Sequence, residues 1–240
     1  MIQIEQAARE LEGAEPDEVL RWAYATCSRV AIVASFQVDS SVLIDIASRL
    51  VPAVDVVTLD TGRLPQETYE IADELRRRYR FRLHLGFPDP AQVKELTAAH
   101  GVNPFYQSVE LRRACCDIRK TRPLDLMLQS FDAWTTGLRR DQGGTRSRTP
   151  VVAEDPRRPG VVKLAPLANW SRQQVWDYVA EHRIPTHPLY ARGYPSIGCA
   201  PCTRATRPGE DERAGRWWWE GESVKECGLH WSPEGTLIHR

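Results

Sequence analysis

An α/β fold, with a mostly parallel β-sheet and helices on both of its faces, is predicted by two features of the sequence. Short apolar runs of strand character, at 29–34, 54–59 and 81–85, alternate with longer stretches whose apolar residues recur at helical spacing. Each run is also short enough for a buried parallel strand and is closed by a polar turn. Strands that alternate with helices form βαβ units, and these units build parallel sheets.

The remaining elements follow in chain order from the same periodicities. Residues 3–28 are predicted to be a helical lead-in whose second part begins at Pro16, because proline suits the first turn of a helix. Further helices are predicted through 42–50, at 68–79, at 115–128 and from Ser171 toward His182, and further strands at 133–136 and 161–165. Residues 139–160 and 185–208 lack both periodicities and are predicted to be loops.

A ligand pocket is expected where the first three strands end. In open parallel sheets, ligands bind beyond the carboxyl ends of the strands. Three polar segments occupy those positions, at 35–40, 60–64 and 87–90. The sequence therefore predicts that these segments line the pocket.

Composition and charge exclude several classes of protein. The chain has 240 residues, of which 42% are hydrophobic and 27% charged, as in an ordinary globular protein. Its 32 basic and 32 acidic residues balance, which argues against a nonspecific nucleic-acid binder. No apolar run approaches the roughly 20 residues of a membrane span, and the first residues lack the features of a signal peptide. We therefore expect a cytoplasmic protein with no nucleic-acid partner and no membrane partner.

Four of the six cysteines form two pairs. Cys199 and Cys202 are separated by two residues, a spacing that lets two thiolates reach one metal centre but that also occurs in redox dithiols. Cys115 and Cys116 supply two more sulfur ligands, and adjacent residues at the start of a helix diverge in direction. A [4Fe-4S] cluster, with its separated irons, suits this set better than a tetrahedral zinc ion. Two unrelated pairs of buried cysteines are the alternative.

The two other cysteines differ in their surroundings. Cys27 lies on an apolar helix face and is predicted to belong to the core. Cys227 lies in a polar segment near the end of the chain, three residues before His230. A neighbouring cation lowers the pKa of a thiol, which makes the thiolate nucleophile more available. Cys227 is therefore either a nucleophile on a C-terminal segment or an incidental surface cysteine.

Taken together, these residues resemble the motifs of the assimilatory sulfonucleotide reductases, specifically the iron–sulfur-containing adenosine 5′-phosphosulfate (APS) reductases. The resemblance runs from about Val30 to the end of the chain and rests on the two cysteine pairs and on segments 59–64, 137–142 and 226–230. It implies a Rossmann-like fold of the adenine nucleotide alpha hydrolase type. It also divides the chain into an α/β sulfonucleotide-binding domain, residues 1–208, and a C-terminal segment, residues 209–240, that carries the catalytic cysteine.

The resemblance implies covalent chemistry on Cys227. The Cys227 thiolate attacks the sulfur of APS, AMP leaves, and an S-sulfocysteine remains, which thioredoxin reduces with release of sulfite. The four paired cysteines hold a [4Fe-4S] cluster, and a homo-oligomer is a further expectation from the family. Relatives that reduce only the 3′-phosphorylated substrate generally lack the four cluster cysteines, so the resemblance favours APS.

The residues around the substrate are also assigned by the resemblance. Lys120 lies one helical turn beyond the cysteine pair, where its charge faces both cluster and substrate. The groups that hold the phosphosulfate or close the C-terminal segment over it are Lys120, Arg146, Arg213, Arg216 and His230, and Lys120 and His230 join Cys227 as catalytic residues. The adenosine side is formed by Ser35, Phe36, Leu59, Asp60, Thr61, Gly62 and Gly137. Tryptophans 217–219 are expected to pack as an anchor for the C-terminal segment.

The turn after the first strand argues against an ATP-dependent enzyme. Related ATP pyrophosphatases carry Ser-Gly-Gly-x-Asp-Ser there, and their glycines let backbone N–H groups cradle pyrophosphate. Residues 35–40 contain no glycine, and Gln37 and Val38 supply side chains instead. A tRNA thiolation enzyme of that type is therefore a distant alternative, and a non-catalytic iron–sulfur sensor would leave Cys227 without a role. The nearest alternative is an enzyme that also, or preferentially, reduces 3′-phosphoadenosine 5′-phosphosulfate.

Overall fold

The computed structural model describes residues 3–221 and arranges their strands in one sheet. The strands are β1 (Val30–Val33), β2 (Asp55–Leu59), β3 (Arg82–Gly86), β4 (Ala133–Thr135), β5 (Val152–Glu154) and β6 (Val162–Leu164). Their order across the sheet is β3-β2-β1-β4-β6-β5, and of these six strands β5 is the one that runs antiparallel to its neighbour. The mostly parallel α/β fold predicted from the sequence is confirmed.

Helices connect the parallel strands, and some of them begin at a capping side chain. They are α1 (Ile4–Glu10), α2 (Pro16–Thr26), α3 (Val38–Leu50), α4 (Gln66–Tyr79), α5 (Pro90–His100), α6 (Val109–Cys116), α7 (Arg122–Leu128) and α8 (Arg172–His182). The Ser171 hydroxyl accepts a hydrogen bond from the backbone N–H of Gln174 at the start of α8. The Ser108 hydroxyl accepts one from Leu111 at the start of α6.

The central strands are buried between two apolar layers. Ile32 and Val56 pack into a core shared with α3, α4 and α8. Their neighbours Ala31 and Val57 point to the opposite face and pack with Leu124 of α7. Successive residues of a strand face opposite sides of the sheet, so both sides require a covering layer. The helices on both faces expected from the sequence provide it.

The sheet has its topological switch point between β1 and β4. From β1 the chain moves through α3 to β2 and then to β3, and it later returns to place β4 on the other side of β1. Crevices that bind ligands form at such points. Here the approach is close, because a Cβ atom on Gly137, just after β4, would lie 2.7 Å from the Cβ atom of Asp39 in α3. Glycine is thus required for the end of β4 to approach the start of α3.

The cysteine-bearing helix differs from the prediction. It begins at Val109, not at Cys115, so Cys115 and Cys116 lie at the end of α6 and not at a helix start. A π-helical turn, Asp117–Thr121, follows and leads directly into α7. The capping hydroxyl of Ser108 starts the helix six residues before the apolar pattern becomes visible.

Two further elements were missed in segments that carry few buried side chains. In α5, Leu96 is the one buried residue of the helix, so the apolar periodicity is weak. Strand β5 has three residues at the edge of the sheet, inside the segment predicted to be a loop. Short edge elements bury little apolar surface and leave little pattern in the sequence.

The described part of the predicted C-terminal segment, residues 209–221, is hydrogen bonded to residues of the predicted α/β domain. The backbones of Thr203 and Arg216 form an isolated antiparallel β-bridge, and the Arg204 N–H donates to the Gly215 carbonyl over 3.0 Å. These contacts cross the predicted division at residue 208, and that division stays a prediction. Within residues 3–221, none of the helices combines the length and apolar character of a membrane span.

Candidate functional site

A cavity of about 200 Å³, here called the polar cavity, opens at the carboxyl ends of β1, β2 and β4. Ser35 follows β1, Thr61 follows β2 and Gly137 follows β4, and all three line it. Two of the three segments predicted for the pocket, 35–40 and 60–64, contribute to its wall. Segment 87–90 does not, because β3 is the edge strand and β2 lies between it and the cavity.

Four cations meet at the polar cavity, and all four were predicted from the sequence. They are Lys120, Arg146, Arg213 and Arg216. Arg146 and Arg216 are buried, and hydrogen bonds restrain both: Arg146 donates to the Gln142 amide oxygen over 2.6 Å, and Arg216 donates to the Ile197 carbonyl over 3.3 Å. Buried guanidinium groups that are already held in place bind an anion at little cost in side-chain entropy.

Acidic groups of the cavity wall are paired with Arg139. This side chain is 1% exposed. It hydrogen bonds to Asp39, donates to Asp141 over 2.9 Å, and lies 3.6 Å from Glu212. Asp39 and Glu212 both line the cavity. Arg139 therefore offsets the charge of the carboxylates and ties Glu212 to the loop that follows β4.

Three residues predicted to form the adenosine side do not line the polar cavity: Phe36, Asp60 and Gly62. Phe36 is 2% exposed, has a φ of 56° and stacks on Phe81 with ring centroids 6.5 Å apart. Its ring packs in the core with residues of α3, α4 and α8 and does not line the cavity, and its role on the adenosine side stays a prediction. Asp60 accepts hydrogen bonds from the Gly62 N–H over 2.7 Å and the Tyr69 hydroxyl over 2.8 Å, so it shapes the turn after β2.

The two cysteine pairs, far apart in sequence, come together around a second and smaller cavity. This cavity, here called the cysteine cavity, measures about 20 Å³. Each of the four cysteines is buried, and none of the five cysteines within residues 3–221 forms a disulfide. Its wall is completed by Arg63, Phe105, Arg112, Arg119 and Lys120. Thiols and cations thus line the same small cavity.

The cysteines of the second pair differ in acidity. Burial raises the pKa of Cys202 to about 12, with a further contribution from Cys199. Burial also opposes ionisation of Cys199, but the positive charge of Lys120 and a hydrogen bond with Thr61 outweigh it, so the pKa of Cys199 is lowered. Cys199 is therefore the thiol whose surroundings favour the thiolate, the form that binds metals.

The two cavities share a wall. Thr61 lines the polar cavity, and its hydroxyl lies 3.3 Å from the Cys199 sulfur. Lys120 lines both cavities. Arg119 lines the cysteine cavity and donates to the Thr61 carbonyl over 2.7 Å. A ligand in the polar cavity would therefore lie beside the thiols, separated from them by one layer of side chains.

Several residues of the site were not assigned from the sequence, and some assigned ones lie outside the described region. Among residues 3–221, no three His, Cys, Asp or Glu side chains are arranged so that they could hold a metal ion. Cys227 and His230 lie outside the described residues. Gln37, Asp39, Gln142 and Glu212 line the polar cavity and were missed. Asp39 and Glu212 are acidic, whereas basic residues are expected around an anionic ligand. For this reason the sequence analysis did not select them.

The fold and the site define the chain as a member of a nucleotide-binding α/β family. Residues 29–205 match the family model described as the phosphoadenosine phosphosulfate reductase domain. The match covers most of the chain, and the protein belongs to this family. The sulfonucleotide reductase resemblance found in the sequence is confirmed.

Four individual proteins are similar to this chain in sequence or in structure. The adenosine 5′-phosphosulfate reductase of Burkholderia cepacia is 50% identical over 185 residues, which are 77% of this chain and 73% of that protein. The protein of the same name from Allochromatium vinosum is 45% identical over 201 residues, 84% of this chain and 78% of that protein. The crystal structure of phosphoadenylyl-sulfate reductase from Candida auris has a TM-score of 0.71 at 26% identity and covers 85% of this chain and 98% of that chain. Yeast FAD synthetase, at 16% identity and a TM-score of 0.56 over 85% of this chain and 69% of that chain, shares the fold.

Proposed function

We propose that this protein reduces APS to sulfite and AMP in sulfate assimilation. The observation that carries the proposal is the cation-lined polar cavity directly beside four buried cysteines, in a chain about half identical to proteins named APS reductase. The polar cavity would receive the nucleotide at the carboxyl ends of the parallel strands. Reduction of this substrate belongs in a compartment that keeps thiols reduced, which agrees with the cytoplasm.

The cations perform the electrostatic part of the reaction. Phosphate and sulfate oxygens of APS carry negative charge, and an anionic thiolate must approach them. Arg146 and Arg216, restrained before the ligand arrives, together with Lys120 and Arg213, neutralise that charge. Charge-assisted hydrogen bonds from arginine to such oxygens are among the strongest in proteins.

The nucleophile is Cys227, by resemblance to the family. Its thiolate attacks the sulfur of APS, a bond forms between the two sulfur atoms, and the bond from that sulfur to the phosphate oxygen breaks, so that its electron pair leaves with AMP. One thiol of thioredoxin then attacks the Cys227 sulfur, and sulfite leaves with the electrons of the sulfur–sulfur bond. The second thioredoxin thiol resolves the mixed disulfide, which restores Cys227 and oxidises thioredoxin.

We further propose that Cys115, Cys116, Cys199 and Cys202 hold a [4Fe-4S] cluster. The donor set fits, because four buried thiols line one cavity together with four cations, and such clusters take four cysteine thiolates. When bound, the cluster would supply a fixed negative charge that orders the cysteine-bearing segments. Lys120 and Arg119 would offset that charge, and the 3.3 Å contact with Thr61 would restrain the Cys199 thiolate.

Replacement of the nucleophile tests the proposed reaction. Cys227→Ser is expected to abolish sulfite formation from APS, because a hydroxyl cannot form the S-sulfocysteine. Iron content, the visible spectrum and APS binding should remain those of the unmodified protein. Sulfite release by this variant at an undiminished rate would contradict the mechanism, and protein purified without air that contains no iron would contradict the cluster.

The fold similarity to a phosphoadenylyl-sulfate reductase supports a second candidate substrate, its 3′-phosphorylated counterpart. The ratio of kcat/KM for the two nucleotides, measured with thioredoxin as reductant, decides between them. We expect APS to be preferred, because the chain carries both cysteine pairs and is 50% identical over 185 residues to a protein named APS reductase. Preference for the 3′-phosphorylated nucleotide would contradict this proposal.

A further inference from the structure

Trp217 lies between the two cavities, and two guanidinium groups contact its ring. The residue is 1% exposed, lines the polar cavity and packs with the four buried cysteines. The Cζ atom of Arg216 lies 4.7 Å from the ring centroid, and that of Arg112 lies 4.6 Å from it. Cation–π contacts strengthen when water is excluded from them. The ring is therefore a buried support for one of the cations of the polar cavity.

Other contacts restrain Arg216 weakly. Its guanidinium lies where a Cβ atom on residue 198 would be, so Gly198 provides the space. One amino group donates to the Ile197 carbonyl over a long 3.3 Å. The buried Nε atom has no hydrogen-bond partner among the residues that the structure describes. The face of Trp217 is thus a principal contact that fixes the direction of the Arg216 side chain.

The Trp217 ring is held in turn by a buried ion pair. Arg112 donates to Glu220 through Nε over 2.8 Å and through Nη2 over 3.0 Å, and the two side chains are 0% and 3% exposed. The Glu220 backbone N–H donates to the Trp217 carbonyl over 2.9 Å. Removal of one partner from such a pair leaves an uncompensated buried charge. The pair therefore fixes residues 217–220 against α6.

We propose that Trp217 is a positioning residue that keeps the Arg216 guanidinium at the polar cavity, and that the Arg112–Glu220 ion pair keeps the Trp217 ring in place. Arg216 contacts the ligand, and Trp217 acts through Arg216. The proposal deepens the proposed function and rests on it in one respect, the identity of the ligand as APS.

A double-mutant cycle tests this role in binding. The dissociation constant for APS is measured by titration calorimetry in Cys227→Ser protein, in which turnover is blocked. Trp217→Phe and Trp217→Leu both remove the indole N–H, but Trp217→Phe keeps an aromatic face. We expect Trp217→Leu to bind APS roughly tenfold more weakly than Trp217→Phe, the loss that a desolvated cation–π contact represents. With Arg216→Met also present, the two Trp217 variants should bind APS equally.

Two controls separate positioning from general stability. Trp22, on α2, packs against a separate apolar core and lines neither cavity, so Trp22→Leu should leave APS binding unchanged. Iron content is measured in each protein, so that a variant that has lost its cysteine centre is recognised. A tenfold difference between Trp217→Leu and Trp217→Phe that persists with Arg216→Met would overturn the proposal, because the ring would then act independently of Arg216.

The ion pair gives a second route if Trp217→Leu does not fold. Glu220→Gln should weaken APS binding several-fold with Arg216 present and have no further effect with Arg216→Met. Its matched control is Glu210→Gln, since Glu210 forms a similar two-bond pair with Arg204, over 2.7 and 2.9 Å, at the surface. Failure of the Cys227→Ser protein to bind APS would contradict the proposed function, whereas normal binding with purely additive effects would contradict the positioning role alone.

Discussion

The polar cavity and the cysteine cavity lie side by side but are built in opposite ways. The polar cavity, of about 200 Å³, has cations and carboxylates from four parts of the chain. Arg139 pairs with Asp39 and Glu212, and Gln142 accepts a hydrogen bond from Arg146. The cysteine cavity, of about 20 Å³, is formed by two short cysteine-bearing segments and a surrounding group of arginines. The first is suited to bind and release a charged ligand, and the second to hold a permanent group.

The difference shows how one chain with no net charge could serve the two anionic groups proposed for it. Residues 110–150 contain nine basic and five acidic residues, and Lys120, on this stretch, lines both cavities. The acidic residues that balance this charge are in part used as partners for buried arginines, as in Arg139 with Asp39 and Arg112 with Glu220. Local charge is therefore set by pairing, and the overall balance does not reveal it.

The largest expected effect comes from the cysteine cavity. Cys199→Ala removes a thiol that Thr61 and Lys120 favour as thiolate, so we expect loss of the iron centre and of sulfite formation. Iron and sulfide analysis and the visible spectrum of anaerobically purified protein provide the measurement. Cys27→Ala is the matched control, since Cys27 is buried in a separate apolar core and should be dispensable for the iron centre. Full iron content in Cys199→Ala would show that the iron centre does not depend on the cysteine cavity.

A smaller and different effect is expected from the polar cavity. Arg146→Gln should lower kcat/KM for APS by about 10- to 100-fold, because a buried charge-assisted contact is lost, while the iron content stays unchanged. Steady-state kinetics and iron analysis of the same sample measure both. Arg148→Gln, an exposed arginine of the same loop, is the control and should retain full activity. Loss of iron in Arg146→Gln would show that the two cavities are not separable.

The smallest effect is expected at the amino end of β2, away from both cavities. Arg82 first, and His84 next, hydrogen bond to Asp55 and lower its pKa to about 2. The contribution to the free energy of unfolding is therefore present above the unfolded pKa, near 4, and is lost as the pH falls toward about 2. Because Arg82 is largely exposed, we expect less than about 1 kcal/mol.

Urea unfolding of Asp55→Asn between pH 6 and pH 2.5 measures this contribution. The variant should show a shallower fall in the free energy of unfolding than the parent protein, with unchanged APS binding at pH 7. Asp73→Asn, an exposed aspartate on α4, should behave like the parent. An identical pH dependence in Asp55→Asn and the parent would show that the shifted pKa does not contribute to stability.

Much of the fold could be predicted because it depends on short-range patterns. Strand runs such as Val30–Val33 and the capping hydroxyl of Ser171 are local signals, and both mark elements close to their observed bounds. The start of α6 and the existence of α5 depend on caps and on single buried residues, which leave a weak pattern. The edge strand β5 has three residues and pairs with β6 across residues 155–161, so it is too short for a periodicity to identify it.

The site was predictable where the spacing of cysteines points to chemistry and where the resemblance to the family assigns the cations. The cysteine pairs and the cations of the polar cavity are brought together as expected. Phe36, assigned by the resemblance to the adenosine side, has a positive φ, and its ring packs in the core; neither feature leaves a pattern in the sequence. The Arg112–Glu220 pair joins residues 108 positions apart and could not be read from either segment by itself.

The π-helical turn at Asp117–Thr121 has a consequence for how this site can change. An ordinary helix rotates about 100° per residue, and a π turn accommodates an additional residue. In this way Arg119 reaches Thr61 and Lys120 reaches both cavities, although the cysteines precede them in the same helical stretch. A deletion of one residue within the turn would rotate both cations away while every side chain remained in the sequence. The number of residues in this stretch therefore determines where the two cations lie. Single substitutions do not change that number, so insertions and deletions of one residue are the changes that test it.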